Sequence, residues 1–361
     1  MCEEAHIKRK KIMKSQDHKH AYKKVSEFRK DIISGEWILV VAGRRNRPGA
    51  AEKKSAHKKR KSSPKSSCPF ERPHGKEQPV LWYPHPRMAA SENVDSWFLQ
   101  VVPNKYPALA PHHVCPTDEP AGPYLVREGI GFHEVIITRD HKRAIADMTP
   151  EEVEVVLHAY QERTVSIESE PCIEYILVFH NHGETAGASL THPHSQLIAL
   201  PIIPPDVRRS LLGSKQYFQK HGVCAHCDEL AFEMKKKTRI IYENKKFIVV
   251  APFASRVSYE VRVFPKLHDA HFERISKADR VYLADALRTA LRKIKVALND
   301  PDYNFFIHTA PAKTDGMNHY HWHVEILPRI ARWAGVELGT GIQVVAIPPE
   351  EAAERLRRVK A

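Results

Sequence analysis

Apolar residues in this chain come in short runs of four to seven, broken by glycine, proline and charge, which is the pattern of strands. Residues 36–41, Glu-Trp-Ile-Leu-Val-Val, read as the first strand, and further strands are predicted at 97–103 and 133–139. A helix is predicted after Thr149, with Pro150 at its first position and Glu151 and Glu152 in its first turn, ending near Ile167. Strands 174–179 and 196–200 follow, separated by a glycine-punctuated loop. The order then repeats: strands 239–242, 247–251 and 259–264, a long helix from Ser276-Lys-Ala-Asp279 to about Leu298, and strands 303–308 and 321–327. A last helix is predicted over 350–359. Short strands with one long helix per half give an α+β class with antiparallel sheet. The organisation expected is a basic leader over 1–30, an N-terminal half over 31–205 and a C-terminal half over 206–361, joined through a polar linker reaching Cys224.

The repeat extends to chemistry-bearing residues. In the first half His141 follows a strand, and His192-Pro-His194-Ser-Gln196 lies beyond the helix and the next strand. In the second half His268 stands 53 residues before His321-Trp-His323-Val-Glu325, against 51 residues from His141 to His192. Upstream of each lies a cluster, Cys68-Pro-Phe-Glu71 and Cys224-Ala-His-Cys227. On a strand, alternate residues share a face, so His192, His194 and Gln196 are expected to point the same way. One imidazole can then be a ligand or orienter while the other attacks an electrophile, with the Gln196 amide donating to a phosphoryl oxygen. The loop 183–189, Gly-Glu-Thr-Ala-Gly-Ala-Ser, offers backbone N–H groups suited to an anion.

Composition narrows the classes. The chain of 361 residues is 42% hydrophobic, enough for a real core, and no apolar run approaches the roughly 18–20 residues that span a bilayer. The basic N-terminus is followed by no apolar stretch of signal length, so a cytoplasmic protein is expected, without a membrane partner. Residues 1–70 carry 20 basic and 7 acidic groups, the whole excess of +13, so the remainder is neutral. The runs Lys8-Arg-Lys-Lys11 and Lys58-Lys-Arg-Lys61 read as solvated segments, and no aromatic residues interleave the second, which argues against a nucleic-acid partner. Six cysteines without a signal segment point to reduced thiols rather than a disulfide framework. Histidine, at 23 residues, is abundant and clustered.

Asn181-His182-Gly183, Gly187-Ala188-Ser189 and His192-Pro-His194-Ser-Gln196 resemble the active-site segment of the galactose-1-phosphate uridylyltransferase family, a branch of the histidine-triad superfamily built from two fused halves. The resemblance extends to Arg44, Arg47-Pro48, to 102–107 (Val-Pro-Asn-Lys-Tyr-Pro), to His308 and to 319–328. It implies two histidine-triad-like halves, each an antiparallel sheet with one long helix. It also implies ping-pong transfer: His194 attacks the α-phosphorus of UDP-glucose, and the uridylyl-histidine passes to galactose 1-phosphate. In that correspondence Gln196 holds the non-bridging phosphoryl oxygens and Ser189 contacts the distal phosphate. Arg44, Arg47 and Asn181 bind phosphate, and Asn104 contacts the nucleoside.

The resemblance further implies zinc at one or two sites, with iron as an option for one. The first site maps to Cys68, Glu71, His141 and His192; Glu71 stands where the family has a second cysteine, and His74 is an alternative ligand. The second maps to Cys224, Cys227, His268 and His321, a tetrahedral S2N2 set. His308, His319 and His323 are where some relatives bind metal. Family members also pair as homodimers. Three other readings stay open: adenylyl transfer to phosphate as in ADP-glucose phosphorylase, nucleotide hydrolysis, and a non-catalytic nucleotide- or RNA-binding protein.

Overall fold

Ten of the short apolar runs lie side by side in one antiparallel sheet in the computed structural model of the chain, which describes residues 26–43, 64–73, 78–88, 93–112 and 114–360. In chain order the strands of the first half are β1 (Glu27–Lys30), β2 (Trp37–Val40), β3 (Leu81–Pro84), β4 (Trp97–Pro103), β5 (Glu119–Ala121), β6 (Tyr124–Val126), β7 (Phe132–Thr138), β8 (Tyr175–His182) and β9 (His194–Leu200). The second half supplies β10 (Ile240–Glu243), β11 (Phe247–Val250), β12 (Val261–Pro265), β13 (Tyr303–His308), β14 (His323–Pro328) and β15 (Gln343–Val345). The large sheet runs β10-β11-β12-β14-β13-β8-β9-β7-β4-β3. Read outward from its centre, β8-β9-β7-β4-β3 on one side matches β13-β14-β12-β11-β10 on the other. The repeat in the sequence is thus a repeat in strand order. The halves meet where β8 pairs with β13, Tyr303 opposite His182 and Ile307 opposite Val178. A smaller sheet joins β1, β2 and β15, the last parallel to β2, and β5 and β6 form a separate hairpin.

Six α-helices occur among the described residues: α1 (Pro150–Glu168), α2 (Pro205–His221), α3 (Ala225–Lys236), α4 (Lys277–Leu298), α5 (Gly335–Thr340) and α6 (Pro349–Arg358). The acids after Thr149 work as expected. The Thr149 hydroxyl accepts from the Glu152 N–H while the Glu152 carboxylate accepts from the Thr149 N–H, a full capping box. At α4 the Ser276 side chain accepts from the Asp279 N–H. Val153, Leu157 and Tyr160 of α1 share one core with Leu283, Leu287 and Leu291 of α4 and with sheet residues Val178, Leu197, Phe305 and Val324. Burying each such side chain stabilises the fold by about 1.5–3 kcal/mol. No helix among the described residues is long and apolar enough to cross a membrane.

Several expectations are corrected. The polar linker is largely helical, as α2, and α3 follows directly after Cys224. The reason α2 is hard to read is that it buries only Val207 and Ser214. It can lie on the β1–β2 turn because Gly213 has no side chain; a Cβ there would stand 1.7 Å from the Ile33 carbonyl oxygen. The stretch 1–30 is not all leader: β1 begins at Glu27, and Arg29 is buried beside Glu27 and Glu350. Strands 174–179 and 196–200 are longer than expected, so Asn181 lies on β8 and His194 opens β9. Not every cysteine is a free thiol: Cys115 and Cys172 form a disulfide that ties the segment carrying the β5–β6 hairpin to the turn before β8. Arg44, Arg47, His74, the 58–61 run and residues 1–25 lie outside the described residues.

Candidate functional site

His192 sits in the bend before β9, and its tautomer is fixed by what it touches. A carbonyl only accepts, so Nε2–H donates to the Thr138 oxygen of β7 at 2.7 Å, and the Nδ1 lone pair faces Cys68 Sγ at 3.5 Å. His194 uses the opposite nitrogen. Its Nδ1–H donates to the His192 carbonyl at 2.9 Å, which leaves the Nε2 lone pair for an electrophile. Burial pulls the His194 pKa below its ordinary 6.5, so the ring is neutral at pH 7. The edge of Phe70 packs against it, ring centroids 4.9 Å apart.

Gln196 lies two residues on along β9, and its amide is set by a residue that sequence reasoning missed. His133 opens the β7 side of the pair, and its Nδ1 accepts from the Ala108 N–H at 3.0 Å. The proton therefore sits on Nε2, which donates to Gln196 Oε1 at 2.8 Å. The Gln196 amide is left with its N–H2 for a ligand. The Asn104 amide nitrogen lies 3.1 Å from the same Nε2, a donor facing a donor once that proton is placed, so Asn104 and Gln196 are neighbours around one imidazole that bonds only to Gln196. The cross-strand register could have signalled this. Val135 pairs with Gln196, which makes His133 its diagonal neighbour.

Beyond β8 the chain turns through Gly183, at φ 89° and ψ 163°, and a short turn over Glu184–Ala186. Asp302, just before β13, accepts from the Thr185 N–H at 2.8 Å and its hydroxyl at 2.7 Å. Asn304 of β13 donates to Asn181 Oδ1 and to the Ala186 carbonyl, both at 2.7 Å, and accepts from Arg329 Nε at 2.6 Å. The glycine loop of the first half is therefore held by the second half. Ser189 is exposed at its end.

Both expected metal-ligand sets come together: within Cys68, Glu71, His141 and His192, and within Cys224, Cys227, His268 and His321, the candidate donor atoms lie within 4.8 Å of one another. In the first, His141 Nδ1 is 2.8 Å from Glu71 Oε1. In the second, Cys227 Sγ lies 3.3 Å from His268 Nδ1 and 3.5 Å from His321 Nδ1. His321 Nε2–H donates to the Pro265 carbonyl at 3.1 Å, repeating the His192–Thr138 arrangement and aiming Nδ1 at the cysteines. Cys224 is held well below the usual thiol range, first by the Cys227 thiol and then, after the opposing effect of burial, by His268 and His321. Thiolate, imidazole and carboxylate donors with second-shell carbonyls are a zinc-compatible chemistry.

The second half copies the setting of His194 but not that of Gln196. His323 Nδ1–H donates to the His321 carbonyl at 3.1 Å, and His226 packs on it at 4.9 Å as Phe70 does on His194. Where Gln196 stands in the first half, Glu325 is buried against Arg256 at 2.7 Å and His308 Nε2 at 2.8 Å. His308 also packs on His323 at 4.8 Å. This copy is filled by its own ion pairs.

Known proteins resemble this chain along most of its length. The family profile described as "Galactose-1-phosphate uridyl transferase, N-terminal domain" matches residues 13–204, and one described as "Domain of unknown function (DUF4921)" matches 129–360. An ADP-glucose phosphorylase of Arabidopsis thaliana is 37% identical over 92% of this chain and 93% of its own. A galactose-1-phosphate uridylyltransferase of Thermotoga maritima is 27% identical over 92% and 98%. The crystal structure of an ADP-glucose phosphorylase from Arabidopsis thaliana with bound ADP-glucose superposes with a TM-score of 0.77 at 33% identity, covering 93% of this chain and 100% of that one. A neutral imidazole anchored through Nδ1–H beside an oriented amide, in a duplicated histidine-triad sheet, thus goes with a matching profile over more than half the chain: the protein belongs to the galactose-1-phosphate uridylyltransferase family of nucleotidyltransferases.

Proposed function

We propose that the protein moves a nucleotidyl group from a nucleotide sugar to a phosphate-bearing acceptor through a nucleotidyl-histidine on His194, with ADP-glucose as donor and inorganic phosphate as acceptor. The observation that carries the chemistry is the His194 tautomer, in which the His192 carbonyl holds Nδ1–H and Nε2 is the nucleophile. Nε2 bonds to the α-phosphorus and glucose 1-phosphate leaves. A phosphate oxygen then attacks the same phosphorus, the P–N bond breaks and ADP leaves. As the ring becomes cationic in the intermediate, its Nδ1–H strengthens its bond to the carbonyl. The Gln196 amide, held by His133, donates to the non-bridging oxygens as they gain charge. When bound, zinc at Cys68, Glu71, His141 and His192 fixes the His192 ring. That ring's own backbone oxygen orients His194, so this first set is a positioning device for the nucleophile.

Adenine is preferred here because the 37% relative and the ADP-glucose-bound neighbour both lie on that branch. Uridylyl exchange between UDP-glucose and galactose 1-phosphate, the first expectation from the sequence, is the second reading, supported by the family profile and the Thermotoga maritima relative. The experiment is incubation with ADP-glucose or UDP-glucose labelled at the α-phosphate. Label on the protein from ADP-glucose, absent in His194→Gly, supports the first reading. Label from UDP-glucose alone supports the second, and label from neither overturns both.

A further inference from the structure

We infer that Asn304 and Arg329, both from the second half, are positioning residues that set the polarity of the Asn181 amide, so that it presents N–H rather than C=O to substrate phosphate; this rests on the nucleotidyl-transfer reading above. The argument is one of donors and acceptors. A guanidinium has no acceptor, so the Asn304 atom 2.6 Å from Arg329 Nε is its oxygen. The Asn304 nitrogen then faces Asn181, and the Ala186 carbonyl, which can only accept, lies 2.7 Å from that same nitrogen. Two independent neighbours thus fix one orientation. Asn181 meets that nitrogen with Oδ1 at 2.7 Å, so its own N–H2 points away, toward the glycine loop. A Cβ built on Gly187 would stand 3.7 Å from that Nδ2. Asn304 is 7% exposed, so water offers little relief for a reversed amide, which would set oxygen against oxygen at Ala186 and N–H against N–H at Arg329.

An amide oxygen facing phosphoryl oxygens repels them, whereas an oriented N–H2 attracts charge that grows in the transition state. Asn304→Asp tests this, because the carboxylate keeps the shape and pairs with Arg329 but can only accept. Asn181 must then turn its N–H2 to residue 304 and its oxygen to the ligand. Two readouts apply to the full-length protein: calorimetric binding of inorganic pyrophosphate, and the rate of label transfer to His194. We expect Asn304→Asp to weaken both by about 10- to 100-fold while its melting transition stays cooperative. Combined with Asn181→Ala, it should cause no further loss beyond about two-fold, since its effect runs through that amide. Losses that multiply in the double variant, or an Asn304→Asp protein with wild-type binding and rate, overturn the inference. Should Asn304→Asp fail to fold, Asn304→Leu, which keeps the volume and removes the donor that fixes the Asn181 amide, carries the same double-variant comparison. If the wild type takes label from neither nucleotide sugar, the transfer reading fails, and pyrophosphate binding still decides the polarity.

Discussion

Gly183→Ala perturbs the glycine loop where it packs on Asp302. Gly183 occupies φ 89° and ψ 163°, a region open essentially to glycine, where another residue costs about 1–3 kcal/mol. The added Cβ would also fall 1.9 Å from Asp302 Oδ1 and 2.2 Å from its Cγ, so the carboxylate must leave. With it go the bonds from the Thr185 N–H and hydroxyl. Bonds to a charged group are worth about 1.5–3 kcal/mol each, and Thr185 is exposed, so water recovers part and about 1 kcal/mol each remains. The sum is about 3–5 kcal/mol, spread over loop order and ligand binding. If about 3–4 kcal/mol of it appears in the transition state, kcat/KM falls by about 10²- to 10³-fold. The assay is glucose 1-phosphate release from ADP-glucose and phosphate, beside a melting curve. Gly35→Ala is the control: φ there is +74° and an added Cβ meets nothing within 4 Å, so it carries strain without the clash. It should cost about 1 kcal/mol of stability and change kcat/KM by less than about two-fold. Equal kcat/KM values for the two variants would refute the reasoning.

Four further outcomes are expected. Burial lowers the His194 pKa below 6.5, so single-turnover labelling should fall on acidification with a midpoint below 6.5. The folded state loses stability over the same acid range, because the unfolded ring binds the proton more readily; an acid limb centred at or above 6.5 contradicts this. Cys224→Ser should lower zinc per chain, and Glu71→Cys should make the first site harder to strip with a chelator; elemental analysis showing no change in the former rejects the S2N2 assignment. His133→Leu frees the Gln196 amide to turn over and should cut kcat by about ten-fold with the melting temperature little changed, whereas an unaltered kcat means Gln196 is oriented by something else. Cys115 and Cys172 are 57 residues apart, so Cys115→Ser should lower the unfolding free energy by about 2–4 kcal/mol in a denaturant titration, and an unchanged midpoint would exclude the bond.

Local signals carried several of the strands and the capped helices. β4 spans the predicted residues, α1 begins behind Thr149 as its acids require, and β13 matches residue for residue. Both candidate metal-ligand clusters came from the family resemblance, with the pattern written once in each half at similar spacing. What stayed hidden depends on partners distant in the chain. His133 and Asn304 are single polar residues on strands, and they gain meaning only once β7 lies beside β9 and β13 beside β8. Helix α2 buries only Val207 and Ser214 and half-buries Leu211 and Phe218, a narrow stripe that the prolines before it and Gly213 within it disguised as linker. Asn181 was placed in a loop because the glycines after it mask the end of β8.

The pairing of β8 with β13 means that neither copy of the duplication is finished on its own. Cut there, each would show the other a raw edge of unpaired amides and carbonyls, inviting promiscuous strand addition. The second copy, sealed by its ion pairs, serves as a buttress that holds its sibling's glycine loop. Bisected fragments would have to reassemble along that seam before the loop regained its support.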